Sequence, residues 1–180
     1  MPTSHFLQIP YVIEDILKVK PKTVLEIGIG MGKYGALMME YLQVWDHYFE
    51  AWMSRPLVMD GIEIFPLYRN PLWGLYREVH IGNALDVLPS LGQYDMILMV
   101  DVLEHFTKAD GNRLLQMCSE HANHIVVAMP TEFAPTVTVW GNAHEVHRTG
   151  SKDYDFSQYG SVSARWFPIG AYVATIARRR

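Results

Sequence analysis

The sequence predicts a doubly wound α/β fold, and three observations support this prediction. A short, mostly apolar segment, Val24–Ile27, runs directly into glycines at alternate positions and then into an amphipathic segment. This is the pattern of a strand, a tight turn and a helix start. A second apolar run, Tyr94–Val100, is bounded by turn residues, as expected of a strand buried on both faces. At 180 residues, 49% apolar and 19% charged, the chain fits a single domain, residues 1–180, with a substantial core.

The first elements follow from the apolar spacing. Phe6–Val19 is predicted to be a helix that covers the first strand and ends before Pro21. The first strand is Thr23–Ile27. The glycines after it permit positive φ and let a ligand approach the backbone closely. The next helix, about Gly32–Val44, directs its free N–H groups at any anion bound there.

A dense aromatic segment, Trp45–Pro56, follows where folds of this kind often have a short connection. It is open whether this segment is an interaction patch or lid beside the site, or a helical extension packed on its own domain. An interaction patch here would allow a homodimer through the Trp45–Trp52 segment.

The second strand, Val58–Ile64, contains two acids. A carboxylate at the carboxyl end of this strand can accept hydrogen bonds from both hydroxyls of a ribose. Glu63 lies nearer that end than Asp60, so Glu63 is the predicted ribose ligand. Phe65–Tyr76 is too broken by proline for a regular helix, and Glu78–Ile81 is a short third strand.

The second half of the chain continues the alternation of strands and helices. The fourth strand, Tyr94–Val100, is followed by a helix over Lys108–His121 and a fifth strand over His124–Met129. The loop Thr131–Gly150 is long enough to suggest a functional role. The remaining predicted elements are a short helix over Tyr154–Tyr159 and a closing hairpin of Val162–Phe167 and Tyr172–Ala177.

The glycine turn does not fit the two commonest phosphate-binding patterns. A nucleoside-triphosphate loop needs one more residue between Gly28 and Gly32, and a Ser or Thr where Tyr34 stands. The dinucleotide pattern occurs from Gly30 onward, two residues too late for the strand. Glu26 would also repel a pyrophosphate, but it suits a ligand with an ammonium group.

Four motifs in order resemble those of class I S-adenosylmethionine (SAM) dependent methyltransferases. They are Glu26-x-Gly28-x-Gly30-x-Gly32, the acidic second strand, Gly82-Asn83-Ala84 and Asp101-x-x-Glu104-His105. The resemblance implies a three-layer fold with a seven-stranded, mostly parallel sheet and an antiparallel C-terminal hairpin. It also implies SAM as the cofactor and methyl transfer as the reaction.

The same resemblance implies roles for individual residues. Glu26, Gly28, Gly30 and Gly32 would hold the methionine end, Glu63 the ribose, and Asn83 with Ala84 the adenine. Asn83 stands where the family often has an acid. Its side-chain carbonyl would accept a hydrogen bond from the adenine amino group more weakly than a carboxylate would. Asp101 would lie near the methyl group, His105 is the first choice as base, and Glu145 and His147 are second choices. No metal ligand is assigned.

The acceptor is predicted to be a small molecule, neutral or carbohydrate-like, methylated on O or N. The Asn-Pro-Pro-Tyr motif of amino-methylating DNA enzymes is absent. Two alternatives stay open. Asp101, Glu104 and His105 with His144 or His147 resemble the metal ligands of small-RNA 2′-O-methyltransferases, although Asp101 stands in place of their Glu. The other alternative is a binding module that keeps the fold without turnover.

Composition limits the partners and the location. The net charge of −4 and pI near 6.0 argue against a broad nucleic-acid footprint. The single cysteine, Cys118, excludes an internal disulfide and favours a reducing compartment. No signal pattern and no apolar run approaching ~18 residues is present. We therefore expect a cytoplasmic protein without a membrane segment.

Overall fold

A computed structural model describes residues 4–44, 57–132, 138, 141–167 and 170–179. The strands are β1 (Thr23–Ile27), β2 (Val58–Glu63), β3 (Glu78–Ile81), β4 (Tyr94–Val100), β5 (Ala122–Pro130), β6 (Ser161–Phe167) and β7 (Ala171–Ala177). The α-helices are α1 (Ile9–Val19), α2 (Lys33–Met38), α3 (Ala84–Val87) and α4 (Lys108–His121). The aromatic Trp45–Trp52 segment, with its predicted homodimer contact, lies outside the described residues.

The seven strands form one sheet in the order β3-β2-β1-β4-β5-β7-β6. The pairs from β3 through β5 are parallel, whereas β7 is antiparallel to both β5 and β6. The predicted α/β fold class, including the antiparallel C-terminal hairpin, is therefore confirmed. The second strand of that hairpin inserts between β5 and β6.

The helices differ from the prediction in three places. A 3₁₀ turn precedes α1, which has Pro10 in its first turn and ends at Lys20 in a left-handed conformation. A π-helical segment, Met39–Val44, follows α2 where one continuous helix is predicted. The predicted short helix at Tyr154–Tyr159 is a 3₁₀ turn at Phe156–Gln158.

The core consists of two apolar clusters, one on each face of the sheet. β4 contributes to both, since Met96 and Leu98 belong to the cluster under α1 and Ile97 and Met99 to the cluster under α4. The strand is buried on both faces, as its sequence predicts. Among the described residues no helix is long and apolar enough to cross a bilayer.

Candidate functional site

The glycine turn after β1 has a backbone conformation that only glycine adopts easily. Gly28, Gly30 and Gly32 have φ of 72°, 51° and 78°. The N–H of Gly28 donates to the carbonyl of Ile62 over 2.8 Å. A Cβ at Gly28 would lie 2.4 Å from Cγ2 of Val102. The turn is therefore packed closely against the residues that follow β4.

Two adjoining cavities lie at the carboxyl ends of the parallel strands. The first is lined by Gly28 and Gly30 of the glycine turn, but not by Gly32, and by polar residues that include Glu26, Lys33, Glu63 and Asp101. The second is lined by the segment 82–84, by Phe106 and by Thr107. Residues common to both linings are Gly28, Ile64, Val102, His105 and His144. Together they form one elongated cleft that crosses the glycine turn, where ligands bind in doubly wound sheets.

Glu63 ends β2 on the wall of the first cavity and is 4% exposed. Its Oε2 accepts a hydrogen bond from the N–H of Gly30 (2.8 Å), and its Oε1 accepts one from the N–H of Phe65 (2.9 Å). Burial raises the pKa of Glu63, although these backbone donors oppose the shift. Asp60 instead accepts hydrogen bonds from Arg77 and from the hydroxyl of Tyr94 (2.8 Å). The carboxylate at the cleft is the predicted one.

Glu26 lies beneath the glycine turn, where the hydroxyl of Tyr76 donates to its Oε2 over 2.6 Å. Burial raises the pKa of Glu26 to about 8, with the charge of Glu63 adding to the effect. The sequence reasoning missed a cation beside it. Lys33 lines the same cavity, where burial lowers its pKa and the charges of Asp101 and Glu26 oppose that shift. Its position directly after the third glycine was the available signal.

Asn83 and Ala84, the predicted adenine contacts, line the second cavity. Oδ1 of Asn83 accepts a hydrogen bond from the N–H of Leu85 (3.0 Å) and so caps α3. Because a carbonyl oxygen can accept two hydrogen bonds, this cap leaves capacity for a ligand.

Asp101 follows β4 with a left-handed φ of 53°, which directs it into the first cavity. Its Oδ2 accepts a hydrogen bond from Nε2 of Gln8 (2.8 Å), and Gln8 is buried. Burial raises the pKa of Asp101, whereas the hydrogen bond from Gln8 lowers it. The N-terminal segment thus reaches the site, a contact that no motif in the sequence indicates.

Glu104, His105 and His147 form a compact group. One ligand atom from each lies within 4.8 Å of the others. Glu104 is 0% exposed, and neither of its carboxylate oxygens has a hydrogen-bond partner in the described part of the chain. Burial and the charge of Asp101 raise its pKa well above the usual range. Burial and His147 lower the pKa of His105 to about 4.

This group joins two of the predicted catalytic residues, His105 and His147, whereas Asp101 lies outside it. The rings of the two histidines are 5.0 Å apart between centroids. A carboxylate with two imidazoles is a common ligand set for divalent transition metals. The sequence analysis assigned no metal ligand but left a metal-binding alternative open, and the structure brings Glu104, His105 and His147 of that alternative together as a candidate metal centre.

A second polar cluster connects two loops above the first cavity. The hydroxyl of Tyr68 donates to Oε1 of Glu145 (2.7 Å), and Nδ2 of Asn142 donates to the hydroxyl of Tyr68 (3.1 Å). All three side chains are buried, with exposed fractions of 3–7%. Hydrogen bonds, among them that from Tyr68, outweigh burial and lower the pKa of Glu145. Glu145 is a predicted acceptor contact, whereas nothing in the irregular Phe65–Tyr76 segment indicates Tyr68.

Comparison with known proteins gives a fold but no family. None of the protein-family models or curated proteins matches this sequence. Among solved structures, the chain is similar to the N-terminal domain of EvdMO1, determined with S-adenosylhomocysteine (SAH) and D-fucose. The identity is 12% and the TM-score 0.64, over 98% of this chain and 85% of that one.

Two further structures are similar. The methyltransferase domain of a bacterial CtHen1 is 15% identical with a TM-score of 0.63, over 95% and 96% of the two chains. A candidate O-methyltransferase from Nostoc punctiforme is 15% identical with a TM-score of 0.63, over 93% of this chain. The chain spans only 55% of that protein's length and 56% of a similar protein from Burkholderia thailandensis. The TM-scores of 0.63–0.64 to these structures show that the chain has the class I methyltransferase fold.

Proposed function

We propose that this chain is a SAM-dependent methyltransferase that methylates an O or N atom of a small, hydroxyl-bearing or carbohydrate-like acceptor. The observation that supports it most is the arrangement of one cleft across the glycine turn, with Glu26 and Asp101 at one end and Glu63 beside it. In the similar EvdMO1 structure, SAH and a sugar were present together. That likeness favours a carbohydrate-like acceptor here.

The residues of the cleft fit SAM in charge and in shape. The amino-acid end of SAM is a zwitterion, and the first cavity offers the Lys33 ammonium together with the Glu26 and Asp101 carboxyls. The Glu63 carboxylate suits a ribose diol. The second cavity adds apolar walls from Ile64 and Val102, which suit a flat base.

The chain's own residues would act mainly by position. When bound, SAM supplies a methyl group already activated on a sulfonium. The protein would hold the acceptor atom in line with it, which contributes up to ~7–11 kcal/mol to lowering the barrier. His105 lines both cavities and is neutral at pH 7, because its pKa is lowered to about 4. It is placed to accept the acceptor's proton, but the same shift makes it a weaker base than an ordinary histidine.

A binding experiment tests the proposal through Lys33. We expect SAH to bind the wild-type protein in titration calorimetry, and Lys33→Met to weaken that binding ~10- to 100-fold, the value of a charged hydrogen bond. Binding of 5′-methylthioadenosine, which lacks the amino-acid end, should be unchanged by the substitution. Lys22→Met, on the exposed segment before β1, is the matched control.

The outcomes separate the alternatives. Failure of the wild-type protein to bind SAH would overturn the proposal. Tight SAH binding without methyl transfer to any offered sugar, phenol or amine would favour the non-catalytic binding module. An equal loss of SAH and 5′-methylthioadenosine binding in Lys33→Met would mean that Lys33 does not recognise the amino-acid end.

The group of Glu104, His105 and His147 supports a second candidate function, metal-assisted methylation of a ribose hydroxyl. Within the described residues the buried Glu104 carboxylate has no hydrogen-bond partner, which is costly unless it binds a cation or a proton, and two imidazoles lie beside it. In this chain the ligands would be Glu104, His105 and His147, and the cation would orient the acceptor hydroxyl.

Cobalt(II) binding tests this second candidate. We expect one cobalt ion to be retained after dialysis, with visible absorption bands that show histidine ligation. Glu104→Gln should weaken binding at least ~10-fold, and His124→Asn, a histidine outside the group, should not. This candidate would be ruled out if the protein retained no cobalt, or if Glu104→Gln left its cobalt affinity unchanged.

A further inference from the structure

The contact between Tyr68 and Glu145 spans the cleft from one half of the sheet to the other. Tyr68 follows β2, and Glu145 belongs to the loop after β5. In the sheet β1 and β4 lie between these strands, a separation of roughly 14 Å at ~4.8 Å per strand. The two loops therefore meet above the switch point at which the cleft lies.

Both residues line the first cavity together with the glycine turn and Asp101. Asn142 strengthens the contact, since its amide donates to the hydroxyl of Tyr68. The cluster is buried, so water competes little for these hydrogen bonds. The loops cannot separate without breaking a hydrogen bond to a buried carboxylate.

Backbone groups of the loop beyond Glu145 also contact the site. The carbonyl of Val146 lies 3.4 Å from Nδ1 of His105. The N–H groups of Arg148 and Thr149 donate to the carbonyl of Glu104 over 2.7 and 3.2 Å. Through Glu145, Tyr68 thus ties this loop, with His147 on it, to the opposite half of the sheet.

We infer that Tyr68 is a positioning residue whose hydrogen bond to Glu145 is a clasp over the donor cleft. The clasp opens to admit the donor and, when closed, holds the His147 loop over it. This inference rests on the proposed function, because it assumes that the cleft takes a SAM-like ligand.

Stopped-flow fluorescence with SAH tests the clasp. With an opening step, the observed association rate should reach a plateau as SAH concentration rises. Tyr68→Phe, which removes the donor but keeps the ring, should raise that plateau ~10-fold. Tyr159→Phe, which removes a hydroxyl bonded to Asn112 away from the cleft, should leave it unchanged.

Hydrogen exchange gives an independent measurement without ligand. Amides of residues 142–149 should exchange faster in Tyr68→Phe than in wild type, whereas those of β4 should not change. A wild-type plateau that Tyr68→Phe leaves unchanged, or exchange that does not differ in the 142–149 segment, would overturn the clasp alone. Wild-type protein that does not bind SAH would overturn the proposed function and the clasp together.

Discussion

Glu26 shows how one buried carboxyl can couple the site to the stability of the fold. Its pKa is raised to about 8 in the folded protein, mainly by burial, whereas an unfolded chain would give about 4.5. Between these pH values the folded state holds a proton that the unfolded state has lost. The contribution of Glu26 to the free energy of unfolding is therefore fully present below pH ~4.5 and is lost as the pH rises through 8.

We predict that Glu26→Gln removes this part of the pH dependence. The glutamine carbonyl can still accept from Tyr76, but it never ionises. The free energy of unfolding of the variant relative to wild type should rise by about 1 kcal/mol per pH unit between pH 5 and 8. Urea denaturation at several pH values measures this difference. Glu40→Gln, at an exposed position, should show no such trend, and a flat difference for Glu26→Gln would contradict the prediction.

At the scale of a single element, β2 carries two buried acids with separate tasks. Asp60 bonds to Arg77 and Tyr94, which belong to the segments around β3 and β4. Glu63 bonds to the backbone of the glycine turn and faces the cleft. Three residues along a strand place two side chains on opposite faces, and this alternation assigns one acid to the fold and the other to the site.

The two acids should therefore respond differently to substitution. Asp60→Ala should lower the free energy of unfolding by about 1–3 kcal/mol, because Tyr94 loses its buried partner, and leave SAH affinity unchanged. Glu63→Ala should weaken SAH binding ~10- to 100-fold. Calorimetry and urea denaturation on both variants give the comparison. Weakened SAH binding in Asp60→Ala with unchanged binding in Glu63→Ala would reverse the assignment.

Elements with strong local patterns were predictable, and contacts between distant loops were not. The glycine turn and the apolar strand β4 can each be predicted from a pattern within about ten consecutive residues. Tyr68 and Gln8 give no such signal, because their partners lie 77 and 93 residues away in the chain. Similarly, the sequence shows Glu104 only as part of a motif, and its lack of hydrogen-bond partners among the described residues depends on packing from several elements.

At the scale of the whole molecule, the sheet order followed from the succession of elements, but the ties between layers did not. Arg165 on β6 pairs with Glu14 and Asp15 on α1, and Thr175 on β7 donates to Asp15 over 3.1 Å. The first helix is thus tied to the last two strands across 150 or more residues. The sequence shows that these charged residues are present, but which of them form ion pairs depends on the completed fold.

The insertion of β7 between β5 and β6 has a consequence for assembly during synthesis. β6 is made first but has no neighbour in the sheet until β7 is in place, and β7 is almost fully buried. In a nascent chain that has not yet reached Ala177, the outer edge of β5 therefore lacks its partner strand, and Ser161–Phe167 cannot yet join the sheet. Until β7 is in place, this unpaired edge of β5 can pair with strands of other chains.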